Sequence, residues 1–210
     1  MNNIIHKIPA VISMAYLRRL NGKLDSHRER FTLAVLNGER KTATEIVRNA
    51  LNLTSSPFAV YLEILEPSQI SVGESWLEGS INVAQEHLAT QLTLEQMDYL
   101  RNALEPRSRN GHLAVITAIE GDRHALGARI VADFLYFDGW DVDFLGPDTP
   151  TQDLIEHVRK RQADLVAISV TVPENLSKLH EAVHLLKQLP THPNIMVGGS
   201  ATFDSVFSEM

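Results

Sequence analysis

The sequence predicts two domains of different class, a helical bundle over residues 1–105 followed by a parallel α/β domain over residues 112–210. Three observations predict it. As far as Leu104 the apolar residues recur at helical spacing; beyond Gly111 short, continuous apolar runs alternate with amphipathic stretches; and the two patterns meet at a polar segment, 105–111, that carries a proline and a glycine. Continuous apolar runs separated by helices mark strands buried on both faces, the pattern of a parallel sheet covered by helices. A chain of 210 residues is long enough to give each half a core of its own.

In the helical half, from Pro9 to about Leu104, the repeats include Phe31, Val35 and Leu36, then Ile46, Val47 and Ala50, then Phe58, Leu62 and Leu65. Breaks fall at Asn37-Gly38, at Ser55-Ser56-Pro57, where serine caps and proline suits a first helical turn, and at Gly79-Ser80. Ser80 is expected to cap a final helix that begins at Ile81 and runs to about Leu104. Together these segments make a four-helix bundle.

The second half reads in order as a strand over 113–119, a helix from His124 to Phe137, a strand near Val142 to Leu145, and a helix from Thr151 to Arg161. A strand from Leu165 to Val170, a helix from Glu174 to Leu189 and a strand over 195–197 follow. Ligands of such sheets bind at the carboxyl ends of the strands. Asp122-x-His124, Gly146-Pro147-Asp148, Ser169-x-Thr171 and Gly198-Gly199 all fall there.

Several function classes drop out on composition. No apolar run approaches the ~18 residues of a membrane span, and the first residues place their charges after the apolar stretch without a cleavage site, so neither membrane insertion nor export is expected and the compartment is cytoplasmic. The absence of cysteine removes disulfides, thiolate metal sites and cysteine nucleophiles, leaving histidines and carboxylates to hold a metal. A net charge of −7 argues against direct nucleic-acid binding, so any control of a gene would pass through a transcriptional or signalling partner protein.

Two motifs carry chemistry. The first is Asp122-Arg123-His124-Ala125-Leu126-Gly127, between a strand and a helix. A transition metal takes a neutral imidazole nitrogen, and a carboxylate accepting a hydrogen bond from the other nitrogen fixes tautomer and orientation; Asp122 is spaced to do so. Gly127 would let a flat macrocycle lie close to the backbone. The plain alternative is a helix-capping aspartate beside a solvated histidine. The second motif is Trp76, expected on the turn before the final helix, followed by Val83, Glu86, His87 and Thr90, the last four at spacings that share one helix face. An indole can lie flat on an adenine-like group, and a carboxylate can accept from ribose hydroxyls. The plain alternative here is a core tryptophan and a solvated Glu-His pair.

A strand, then Asp-x-His-x-x-Gly, then a helix resembles the cobalamin-binding domains, which have a flavodoxin-like fold. The stretch 72–88 (VGESWLEGSINVAQEHL) and Leu145-Gly-Pro-Asp-Thr-Pro150 are similar to the sensor region of CarH-type cobalamin photoreceptors, over roughly residues 28–200. The resemblance implies adenosylcobalamin as cofactor, His124 as lower axial ligand of cobalt, and Trp76, Val83 and Glu86 around the adenosyl group, with His87 the cofactor-side residue that would have to move in to give a second histidine ligand after light. It adds Asp122, Arg123 and Gly127 beside the ring, and Ser169, Thr171, Gly198 and Gly199 along a slot for the nucleotide tail. In that family light breaks the cobalt–carbon bond and protein contacts change, which implies a homo-oligomer, such as a dimer, whose packing responds to light.

The sequence departs from that family in three places. The stretch ahead of Leu24 is too short for the DNA-binding domain such sensors carry, Leu77 stands where a light-state histidine ligand is common, and the chain ends at Met210 before a fifth strand is expected. These departures suggest a free-standing sensor, comparable to light-responsive antirepressors or to the photocobilins, and a non-covalently held bilin stays open. The rival reading is a corrinoid protein carrying methyl groups between methyltransferases, which also pairs a bundle with Asp-x-His-x-x-Gly. A third is a light-independent cobalamin-sensing adaptor. His180-Glu181-Ala-Val-His184 spells a zinc-peptidase motif, but it lies on an α/β-domain helix with no convincing third ligand following, in a chain with nine histidines.

Overall fold

The helical periodicity that begins at Pro9 gives four helical segments, seen in a computed structural model that describes residues 22–202. The expectations for residues 9–21, for the export reading of the first residues and for the edge beyond 202 lie outside the described residues. The chain divides between Leu104 and Glu105 into two units, each with its own core.

In the first unit, α1 (Asp25–Leu36) buries Phe31, Ala34 and Val35. It ends at Gly38, whose φ of +73° lets its N–H donate to Val35 C=O at 3.2 Å and the Glu39 N–H donate to Ala34 C=O at 2.8 Å. This pair of bonds satisfies carbonyls that a helix end otherwise leaves bare. The next helix, α2 (Arg40–Thr54), turns Ala43, Ile46, Val47 and Ala50 inward and stops at Ser55, which is left-handed at φ +52°. Ser56 then caps as the sequence predicts, its hydroxyl accepting from the Ala59 N–H at 3.3 Å with Pro57 in the first turn.

The third helical segment, α3, runs over 57–77 in three consecutive pieces: α-helical Pro57–Val60, a π-helical stretch Tyr61–Leu65, and α-helical Glu66–Leu77. The wide π turn holds an extra residue, so the inward face is re-phased. Tyr61, Ile64 and Leu65 are buried, whereas Phe58 and Leu62, which an unbroken α-helix would bury with Leu65, are only half-buried. The last helix, α4 (Val83–Ala103), begins two residues later than expected. Asn82, not Ser80, is its cap: the Asn82 side chain accepts from the Gln85 N–H at 3.0 Å while the Gln85 side chain accepts from the Asn82 N–H at 3.1 Å. That reciprocal pair satisfies two orphan donors, which Ser80 on the turn after Gly79 could not do alone.

Among the described residues, the second unit is a four-stranded, all-parallel sheet of order β2-β1-β3-β4, with β1 (Leu113–Ile119), β2 (Asp141–Thr149), β3 (Leu165–Ser169) and β4 (Asn194–Gly198). Helices α5 (Leu126–Phe137), α6 (Thr151–Arg161) and α7 (Leu176–Lys187) connect them. Val115, Ile119, Val166 and Ile168 of the sheet pack with Leu154, Val158, Leu179 and Leu186 of the helices into one core. The order reverses direction between β1 and β3, so the crevice at a topological switch point opens between the loops that follow those two strands. The polar segment 105–111 is tied to this unit: Arg107 N–H donates to Phe137 C=O at 3.0 Å and its guanidinium to Asp138 at 2.7 Å. Among the described residues, no helix is long and apolar enough to cross a membrane.

Candidate functional site

The loop after β1 is organised by one carboxylate. Asp122 is fully buried, and it accepts four N–H groups. Its Oδ1 takes the backbone N–H of His124 at 3.0 Å and the ring Nδ1–H of His124 at 2.9 Å; its Oδ2 takes the backbone N–H of Thr171, in a short bond, and that of Val172 at 3.2 Å. The i to i+2 bond to His124 explains why α5 starts at Leu126 rather than at His124: the side chain captures a backbone donor before the helix can. The bonds to Thr171 and Val172 fasten the β1 loop to the β3 loop across the switch point. Burial by itself pushes the Asp122 carboxyl up, but the N–H groups of Thr171 and His124, the His124 ring and the Val172 N–H outweigh it and hold it below the ordinary carboxylate range.

The consequence for His124 is chemical. A carboxylate that stays ionised can only accept, so Nδ1 carries the proton and the Nε2 lone pair of the neutral ring is left for a metal. The His124 side chain is 66% exposed, so that lone pair is not consumed by the core. Arg123 beside it is also exposed. A side chain at Gly127 or at Gly198 would meet nothing of this chain within 4 Å, so the backbone is bare at both positions.

The other predicted residues at this edge do different work. Ser169 closes β3, in register with Ala118 of β1 and Gly198 of β4. Thr171, singled out for its small side chain, contributes its backbone N–H to Asp122. Gly199 has a structural reason of its own: at φ +101° a Cβ would lie 2.1 Å from the Val170 carbonyl oxygen. Asp148, which spacing alone did not assign a role, accepts the Gly121 N–H at 2.7 Å and donates its own N–H to Asp122 C=O at 2.9 Å.

On the helical unit, Trp76 lies in the last turn of α3 rather than on the connecting turn, and is 47% exposed; Val83 is 52% exposed. Glu86 and Thr90 meet one turn apart on α4 as the spacing predicts. The Thr90 hydroxyl is 2.8 Å from Glu86 Oε1 and 2.9 Å from Gln69 Oε1, and shares its one proton between them. Gln69 in turn donates from its amide nitrogen to Thr93 Oγ1 at 2.8 Å. Gln69 is on another helix, and no spacing rule could have paired it with Glu86. His87 is turned to solvent, its Nε2 3.7 Å from Glu86 Oε2. His180 and His184 are exposed on α7, where His184 Nε2 meets Gln188 Nε2 at 2.7 Å.

A bare glycine backbone beside an imidazole with one lone pair free suits a flat metal macrocycle held from one side. Residues 112–208 match the family described as "B12 binding domain", and residues 27–101 match a second family of the same description. The chain pairs two B12-binding domains. Its relatives fall in two groups. The HTH-type transcriptional repressor CarH of Myxococcus xanthus is 31% identical over 146 residues, 69% of this chain and 48% of that protein. Dimethylamine corrinoid protein 3 of Methanosarcina acetivorans is 33% identical over 99 residues, 45% of this chain and 46% of that protein. The chain thus spans about half the length of each. The fold of the two B12-binding domains is shared with the monomethylamine corrinoid protein of Methanosarcina barkeri, at a TM-score of 0.73 and 21% identity, covering 89% of this chain and 90% of that one.

Proposed function

We propose that this protein is an adenosylcobalamin-binding light sensor in which loss of the adenosyl group changes the contacts it makes with itself and with a partner. The single observation that carries the cobalamin part is the buried Asp122 carboxylate gripping the exposed His124 ring, within a chain built of two B12-binding domains. When bound, the cofactor supplies a cobalt centre and a cobalt–carbon bond that light can break. His124 would offer Nε2 to the metal with Asp122 setting its tautomer, the bare backbone at Gly127 and Gly198 would admit ring and tail, and Ser169 and Thr171 would line the slot for the tail. Trp76, Val83 and Glu86 recognise the adenosyl group, with the indole face and the carboxylate as the two recognition elements. The exposure of Trp76 and Val83, and the similarity to CarH over the stretch that holds them, support this assignment. A ligand contacted by a protein in two arrangements shifts their populations by its differential affinity, so removing part of it must shift them back. A homodimer and a transcriptional or signalling partner are the outputs this reading calls for.

The test is to bind adenosylcobalamin in the dark, illuminate, and follow absorption and molecular size together. A light-driven spectral change with a change of size is expected; photolysis with no change of size or partner binding would remove the sensor reading. His124→Ala should abolish the imidazole-ligated spectrum, and Trp76→Ala should leave cobalamin bound while altering adenosyl selectivity or photolysis. Identical behaviour of the two variants would undo the division of roles.

A second reading is a corrinoid methyl carrier. What favours it is coverage: dimethylamine and trimethylamine corrinoid proteins of Methanosarcina align over 70% and 80% of their own lengths, more than CarH does. The two readings separate on the upper ligand. The sensor prefers adenosylcobalamin to methylcobalamin in the dark, whereas equal affinity marks a carrier. A non-covalent bilin would announce itself by an added visible band on reconstitution.

A further inference from the structure

The loop that carries His124 is fastened on its β3 side by the Asp122 carboxylate, and its β2 side is fastened by a second aspartate. From Ile116 to Ile119 β1 advances three residues while β2, from Phe144 to Thr149, advances five, because the register shifts on either side of Thr117. One surplus residue falls on each side of Gly146, so this end of β2 is bulged. The bulge is sealed where Thr117 Oγ1 meets Thr149 Oγ1 at 2.6 Å and the Gly146 carbonyl at 3.0 Å. At its tip Asp148 is left-handed, φ +55°, a setting that aspartate and asparagine tolerate better than most residues and that still costs conformational energy. From there it makes two bonds to the histidine loop: Oδ1 accepts from Gly121 N–H at 2.7 Å, and its own N–H donates to the Asp122 carbonyl at 2.9 Å.

We propose that Asp148 is a positioning residue for cobalt ligation, one that holds the peptide on either side of the Gly121–Asp122 bond so that the His124 ring is presented in a single setting. The proposal rests on the cobalamin reading above. Asp148 is exposed and belongs to no part of the apolar core, so the sheet does not need its side chain to fold. Its bonds run to backbone groups flanking the carboxylate that grips the ring. They fix the loop where the Asp122 carboxylate cannot, at the residue before it. Strain spent at an exposed, non-glycine position is accounted for when the strained residue holds a site in place.

The experiment uses the full chain loaded with cobalamin in the dark, with the fraction of cofactor ligated by imidazole read from the visible spectrum. The same fraction is read independently from the nitrogen coupling of the reduced cobalt in protein carrying isotope-labelled histidine. Asp148→Gly keeps the left-handed backbone and the N–H bond but removes the acceptor for Gly121. Outer-shell partners of metal-binding histidines are typically worth about 10–100-fold, so the ratio of imidazole-ligated to unligated cofactor is expected to fall about tenfold in Asp148→Gly. Asp148→Asn, which keeps both an acceptor oxygen and the tolerance of positive φ, should restore it to within about twofold. Circular dichroism and the thermal midpoint of the unloaded proteins identify a variant that has simply unfolded. An unchanged ratio in a folded Asp148→Gly overturns the proposal, as does failure of Asp148→Asn to rescue. A wild-type protein with no imidazole signal overturns the cobalamin reading itself, and the proposal with it, which tells the two failures apart.

Discussion

The two faces that carry the candidate chemistry are built in opposite ways. In the α/β unit a buried carboxylate collects four N–H donors, three of them backbone, so the loops after β1 and β3 are fixed by groups every sequence possesses. In the helical unit Glu86 is held by one shared hydroxyl proton and a chain of side chains, Thr90, Gln69 and Thr93, with Trp76 and Val83 open to solvent. Their carboxylates differ in the same sense. Burial raises Glu63 and Glu66 of the helical unit, whereas in the α/β unit Asp122 and Asp143 resist burial, Asp143 through Arg161 and His157, and end below the ordinary range. The difference teaches that a rigid ligand-presenting loop can be specified by backbone capture, while an adaptable recognition face can be left to side chains that other groups are able to displace.

The largest test of this contrast is Asp122→Ala. It leaves the buried N–H groups of Thr171 and Val172 without their acceptor, at about 1–3 kcal/mol each, so chemical denaturation should show a loss of about 3 kcal/mol or more. A cost no greater than that of Glu86→Ala would erase the distinction between the two faces.

Acid should then separate the units. A carboxylate whose folded pKa is depressed contributes stability that is complete above its unfolded value and lost as pH falls through the folded one; this is the case of Asp122 and Asp143. A carboxylate whose folded pKa is raised imposes a penalty above the folded value that vanishes below the unfolded one, the case of Glu63 and Glu66. As pH falls from about 7 to about 4 the helical unit should hold or gain protection in residue-resolved hydrogen exchange, and below about pH 4 protection should fall in the α/β unit. Asp143→Asn should remove part of the fall.

A smaller effect is expected from Thr90→Val, which keeps the shape and deletes the proton shared by Glu86 and Gln69; about 1 kcal/mol of stability should go. Adenosyl preference should weaken with cobalamin still bound, and an unchanged preference would mean that Glu86 needs no holding. Least of all, His124→Ala removes one exposed donor of the four that Asp122 accepts and should cost the unloaded protein no more than about 1 kcal/mol. A larger loss would show that the ring is part of the fold and not reserved for a ligand.

Local signals were legible in the sequence, and contacts at long range were not. The strand at 113–119 and the helix Thr151–Arg161 lie where the sequence puts them, because an unbroken apolar run and an amphipathic period that starts just after a proline leave little choice. Asp122 and His124 could be paired because they are two residues apart, and Glu86 with Thr90 because they are four apart. Asp148 and Gln69 could not be, since their partners are 27 and 21 residues away and only the tertiary fold brings them together. Thr171 was noticed for its side chain and serves through its backbone, which has no sequence signature. The start of α4 was misplaced because a serine after glycine and an asparagine with a glutamine three residues on are both plausible caps, and only the second closes two bonds.

The π-helical stretch Tyr61–Leu65 stands upstream of Trp76 on the same continuous segment, and that placement sets a limit on how the chain can change length. Successive α-helical residues are rotated by about 100°. Deleting one residue from the wide turn would let the segment relax into regular α-helix. The indole would then swing by roughly that angle about the axis unless the start of the segment swung instead. A single-codon loss in this turn would therefore be felt about three to four turns away, as a tryptophan facing the wrong direction, in a helix whose own hydrogen bonding had improved.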